Sequence, residues 1–94
     1  MCFFKKMCQE ASEATFYSYE KSQKCVIECM KFFMLIWSPW DDQDCTMERA
    51  AQAVHRGSIS SPGSWSEVNN ETKEKYREVA KIVMKFFILI FIAT

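Results

Sequence analysis

Met84-Lys85-Phe86-Phe87-Ile88-Leu89-Ile90-Phe91-Ile92 is the stretch whose reading decides the fold. Its composition suits a strand as well as a helix, because periodicity cannot classify a short all-apolar run. What lies before it decides for helix. Tyr76, Val79, Ala80, Val83, Phe86, Phe87 and Ile90 form one continuous helical stripe with no breaker. Asn69 or Asn70 can cap its start, and Glu71/Lys75 and Glu78/Lys81 are spaced for support along the exposed face.

Working outward, the same pattern stands earlier in the chain. Met30-Lys31-Phe32-Phe33-Met34-Leu35-Ile36-Trp37 matches Met84 to Phe91 at an offset of 54 residues, most positions being identical and the rest large and apolar. Ser12-Glu13 and Ser66-Glu67, and Glu20-Lys21 and Glu74-Lys75, keep that offset. Two readings stay open: chance likeness between two biased segments, or a duplication that gave a two-fold internal repeat.

The earlier run ends a second stripe, Cys8, Ala11, Thr15, Ser18, Ser22, Cys25, Cys29, Phe32 and Ile36. It predicts one long helix from Met7 to Ile36, with small side chains for close approach in its first half and large ones in its second. Ser38-Pro39-Trp40-Asp41 then reads as a stop and restart, with Ser38 as cap, Pro39 at the first helical position, and Asp41 and Asp42 at the positive helix start. A peripheral second helix carries Met47, Ala50, Ala51 and Val54 and finishes at Gly57, before a loop to Ser64. The expectation is an all-α protein of three helices, the first and third long, with residues 1–94 as a single helical domain.

Such a domain has trouble with its own apolar content. The chain is 49% hydrophobic and 15% aromatic, while a domain of this size removes only about 60–68% of its unfolded surface from water. A helix apolar all round must be surrounded, and three helices cannot surround one of their own. Leaving about half of the seven side chains Phe86 to Ile92 exposed forgoes roughly 5–10 kcal/mol, comparable with a domain's whole stability. An interface is therefore expected at Phe32, Phe33, Trp37, Trp40, Phe86, Phe87, Ile90 and Phe91, with a second copy, another protein or lipid as its occupant, in that order. Trp40, beside Asp41 and Asp42, reads as the exposed anchor, whereas Trp65 reads as a plug beside the last helix.

Chemistry is sparsely represented. Cys25, Cys29, Cys45 and His55 offer a single Cys pair at atypical spacing, which points to core thiols rather than zinc. Cys45 and His55 form a formal nucleophile and base, with nothing nearby to activate the thiol. Asp41, Asp42, Asp44 and Glu48 read as helix-start charges, and the two glycines, Gly57 and Gly63, make no phosphate loop. No catalytic residue, cofactor or metal is assigned, and an enzyme is not expected. Twelve basic and twelve acidic residues leave no surplus for phosphate neutralisation, which disfavours nucleic acid. Five cysteines without a signal-peptide pattern read as reduced thiols in the cytoplasm. Ile82 to Thr94 is short for a membrane span and contains Lys85, so membrane insertion ranks below protein binding.

Two resemblances touch the C-terminal half. Met47-Glu48-Arg49-Ala50-Ala51-Gln52-Ala53, followed by Trp65-x-x-Val68, Glu71-Thr72-Lys73, Tyr76-Arg77 and Ala80, resembles a module of small bacteriophage and prophage proteins. That likeness implies a phage setting, in the cytoplasm of a host cell, and the binding and inhibition of a host protein such as a defence factor. Trp65, Val68, Lys73, Tyr76 and Ala80 are also similar to the last helix of a high-mobility-group box, from which no DNA-contacting residue is carried over; a DNA-binding alternative would use the cations Lys73, Lys75, Arg77 and Lys81. The basic first half which that family needs is missing here. The sequence thus points first to a non-enzymatic binder of a host protein, dimeric by preference, with DNA binding and membrane activity behind it.

Overall fold

Phe16 is where the sequence reading and the structure part. In a computed structural model, which describes residues 3–38, 40, 42–58 and 64–93 except for the side chains of Ser58, Phe91 and Ala93, the expected long first helix is broken there. The elements are α1 (Phe3–Thr15), α2 (Tyr19–Leu35), α3 (Gln43–Ser58) and α4 (Asn70–Ala93), with a short 3-10 turn, Trp65–Glu67, before α4. The chain is all-α, and the described residues form four α-helices rather than the three expected.

Hydroxyl groups make the break. Thr15 Oγ1 donates to the Ala11 carbonyl (2.7 Å) and accepts from Tyr17 N–H (3.3 Å), while Ser12 Oγ donates to the Tyr17 carbonyl (2.8 Å). Side chains of this kind compete with the helix for backbone partners. Phe16 N–H still reaches Ser12 O at 2.9 Å, but Phe16 has φ 63°, a left-handed conformation that ends the helix. Ser18 then starts α2 by accepting from Lys21 N–H at 3.2 Å. Unbroken, the helix expected over 7–36 would extend about 45 Å; broken, it folds into a hairpin. The stripe survives the fold, for Cys8, Ala11 and Thr15 on α1 and Ser22, Cys25, Cys29 and Phe32 on α2 are all buried.

The start of α3 also differs from expectation. Asp42 is the cap, its Oδ1 accepting from Cys45 N–H at 3.0 Å, and Ser38 Oγ accepts instead from Trp40 N–H at 3.4 Å. Pro39 and Asp41 lie outside the described residues, as does most of the loop before Ser64. Gly57 does not stop the helix, which continues to Ser58. The Glu28 carboxylate of α2 lies where a Cβ would stand, a contact that a shift of that flexible side chain would relieve. Nor is α3 peripheral. Ala50, Ala51 and Val54 are fully buried, and α3 packs on both α2 and α4.

Contacts along the helices give their directions. Tyr17 lies under Lys75, 5.0 Å from the ring centroid, and Phe33 stacks on Phe87 with centroids 5.5 Å apart, so α2 and α4 run in parallel. Phe3 meets Phe86 at 5.8 Å, which sets α1 antiparallel to both. Arg49 lies over Phe32 and Gly57 abuts Glu28, so α3 returns antiparallel to α2. α2 and α4 form the central pair, and α1 and α3 each pack on both of them. One buried cluster results, with small side chains such as Cys25, Cys29 and Ala80 in its middle and Phe32, Phe33, Met84 and Phe86 at one end.

The left-handed backbone at Phe16 is costly for a residue with a Cβ, roughly 1–2 kcal/mol, and its ring, 90% exposed, recovers little by packing. Phe16→Gly is expected to stabilise the protein by about 0.5–1 kcal/mol, the extra flexibility of unfolded glycine offsetting part of the gain. Urea unfolding should show a higher midpoint with an unchanged slope, and a lower midpoint would contradict this account of the break.

Candidate functional site

The C-terminal ends of α2 and α4 and the N-terminal end of α1 meet at one end of the bundle, and most of the exposed apolar surface lies there. Of the side chains expected to form an interface, Phe32, Phe33 and Phe86 belong to the protein's own core. Trp37 and Phe87 are half-buried against it, Phe33 meeting Trp37 edge-on at 5.5 Å. Trp40 and Ile90 are exposed, and the side chain of Phe91 lies outside the described residues. The sequence reading passed over their neighbours. Met34, Leu35, Leu89 and Ile92 are exposed, Leu35 at 83% and Ile92 at 74%, and so is Ile36, which was expected at the end of the buried stripe of the first helix. Helix geometry could have found them: a stripe that buries Phe32 and Phe33 must turn Met34 and Leu35 outward.

Two depressions border this end. A shallow apolar one of about 380 Å³ on α4 is lined by Met84, Ile88 and Leu89 between Lys81 and Lys85. A larger groove of about 580 Å³ lies between α2 and α3. Phe32, Leu35, Ile36 and Ala53 give it an apolar floor, and Lys31, Arg49 and Arg56 stand along it with one acid, Glu28. Glu28 pairs with Lys31 at 3.2 Å. Arg49 faces the Phe32 ring, 5.8 Å from its centroid. Among the described residues neither Arg49 nor Arg56 has a carboxylate partner.

On the other face of α3, Glu48 accepts from Trp65 Nε1–H at 2.8 Å and from Arg77 Nε–H at 2.8 Å. Arg77 also donates to Glu74 at 2.6 Å. Hydrogen bonding from Arg77 holds the Glu48 carboxyl below its ordinary value; burial opposes it, and the Trp65 hydrogen bond and the nearby cations add to the lowering, while hydrogen bonds to Glu48 and Glu74 raise Arg77. The Trp65 ring stacks on Tyr76 at 6.4 Å with His55 edge-on at 5.8 Å. This clamp ties the 3-10 turn to α3 and α4. Glu48 is thus a tertiary contact, beyond the helix-start role read from its position.

The cations associated with DNA contact are largely occupied by acids. Arg77 is held by Glu48 and Glu74, Lys75 by Glu71 and Lys81 by Glu78, while Lys73 lies over Trp65. Cys45 and His55 stand at opposite ends of α3, about 15 Å apart along its axis. Burial, with Cys25 adding to it, pushes the Cys29 thiol far up, away from thiolate chemistry. Burial likewise pushes the Tyr76 phenol up to about 12. Among the described residues, no three His, Cys, Asp or Glu side chains converge as a metal site, and no helix is long and apolar enough to cross a membrane.

A carboxylate whose folded pKa is depressed contributes stability above its unfolded pKa and loses it as the pH falls through the folded value. Glu48→Gln is expected to destabilise by about 0.5–1 kcal/mol at neutral pH, a small figure because solvent screens a pair exposed by about a third. Urea titrations at successively lower pH should show the gap between wild type and variant closing in the acid range below the ordinary carboxylate pKa; a gap constant down to low pH would remove Glu48 from the clamp. No protein-family model, curated protein or solved structure matches this chain.

Proposed function

We propose that the protein works without catalysis, by binding another protein through the apolar end of the bundle, and that it does so as a homodimer. The observation that carries this reading is the clustering of Met34, Leu35, Ile36, Leu89, Ile90 and Ile92, all exposed, at the one end where three helix termini meet. Single exposed apolar residues are ordinary on a soluble surface, but a concentration of them at one end of a small bundle is the kind of surface that interaction sites use. Four helices enclose the Phe side chains and leave the next turn of both α2 and α4 outside.

The narrower role, a phage-type protein that binds and inhibits or redirects a host factor in the host cytoplasm, rests on the sequence resemblance of the C-terminal half. A bacterial host protein with a complementary apolar surface is the partner it implies.

Leu89→Ser with Ile92→Ser tests the surface, since both side chains are exposed and their loss should leave the circular dichroism spectrum unchanged. Affinity capture from a bacterial lysate should recover a stoichiometric protein with the wild type and lose it with the double variant. A wild type that repeatedly captures nothing, or a variant that captures the same protein equally well, would defeat the proposal.

A further inference from the structure

The groove between α2 and α3 and the segment that joins those two helices have opposite chemistry. The groove has an apolar floor, Leu35 and Ile36 being 83% and 54% exposed, and Lys31, Arg49 and Arg56 stand beside it. Arg49 and Arg56 lack carboxylate partners among the described residues. The joining segment reads Trp40-Asp41-Asp42-Gln43-Asp44. Its indole is 90% exposed, and Asp42 and Asp44 are exposed beside it. The indole does not lie in its own groove, whose lining excludes it.

From this juxtaposition we infer that the homodimer forms by exchange, with Trp40 and its flanking acids from each copy seated in the α2–α3 groove of the other. A two-fold axis makes the contact reciprocal, so each copy gives one indole and receives one. The inference rests on the dimer in the preceding reading and adds its geometry. A volume of about 580 Å³ has room for an indole together with adjoining main chain. The groove lining carries three cations against the single acid Glu28, while the segment carries three acids and no cation. Each therefore repels its own kind and attracts the other. Seating Trp40 would also cover Leu35 and Ile36, which the monomer leaves in water. An aromatic anchor in a pocket with flanking charges is the usual composition of an interface hot spot, and the charges fix its orientation.

The test is charge exchange, read by light scattering on the full chain. One variant reverses the groove, Arg49→Glu with Arg56→Glu. The other reverses the segment, Asp42→Asn with Gln43→Lys and Asp44→Lys, where asparagine keeps the helix cap. Wild type is expected to be dimeric, each variant alone monomeric, and an equimolar mixture dimeric again, since both contacts are then complementary. Trp40→Ala should weaken the wild-type dimer by about 30-fold or more, and added salt should weaken it further. Circular dichroism of each variant checks folding, and recovery in the mixture shows that the variants are folded. Dimers that persist in either charge variant, or a mixture that stays monomeric while each variant is folded, overturn the exchange but leave a dimer of another geometry. A monomeric wild type overturns both the exchange and the dimer, and leaves capture by Leu89 and Ile92 to be judged on its own experiment.

Discussion

α2 and α4 lie side by side in parallel, and the rest of the molecule follows from that pairing. Parallel neighbours cannot be joined by a short turn, so the chain needs an element that travels back between them. α3 is that element. It packs along both members of the pair on one side while α1 covers them on the other. The pair itself is close in the middle, where Cys25, Cys29, Val79 and Ala80 are fully buried. Farther along, Phe33 and Phe87 fill the widening space between them by stacking. Removing that pairing would leave α1 and α3 with nothing in common to pack on.

Phe33 and Phe87 are also the matching positions of the repeated segment, 54 residues apart in sequence. Contact between equivalent positions is what an approximate two-fold axis along the helix pair produces. The likeness extends to burial: Phe32 and Phe86 are both in the core, Leu35 and Leu89 are both exposed, as are Ile36 and Ile90. Lys31 and Lys85 each reach a carboxylate, Glu28 within α2 and Glu10 across on α1. Whatever the origin of the likeness, the fold puts both segments to one structural use. Each ends a central helix and caps the same end of the bundle.

Helical class and the buried stripes were readable from periodicity alone, because burying one face of a helix demands apolar residues every three or four positions whatever the tertiary arrangement. The break at Phe16 was not. Its signals are hydroxyl groups at Ser12, Thr15 and Ser18, each of which also fits a helix facing a close neighbour, and no glycine or proline marks the spot. The left-handed residue is a phenylalanine, the kind of side chain a sequence reader least expects there. Gly57 misled in the opposite sense, looking like a terminator when the helix continues through it to Ser58. At the candidate surface, hydrophobicity pointed to the end of the bundle where exposed apolar side chains gather, but it named residues that the core takes first because they are the largest. Phe32, Phe33 and Phe86 went inward and the aliphatic residues after them stayed out. Trp40 was legible as exposed because Asp41 and Asp42 follow it directly, a setting no apolar core would accept without partners.

The same physics explains why the exposed apolar residues gather at one end instead of scattering. Where the central helices are lined with Ala, Cys, Ser and Val, the neighbours approach closely and α1 and α3 suffice to seal them. Where the lining changes to Phe, Met and Ile, the helices are held apart and the perimeter to be covered grows. Among the described residues α1 begins at Phe3 and α3 at Gln43, and the final turns of α2 and α4 keep their aliphatic side chains exposed. Shortening those two helices would remove the exposed patch at little cost to the core, because Leu35, Ile36, Leu89 and Ile92 contribute little to it. Burial of each would contribute roughly 1.5–3 kcal/mol, so the last turns of α2 and α4 hold in water apolar surface that the protein's own core does not use.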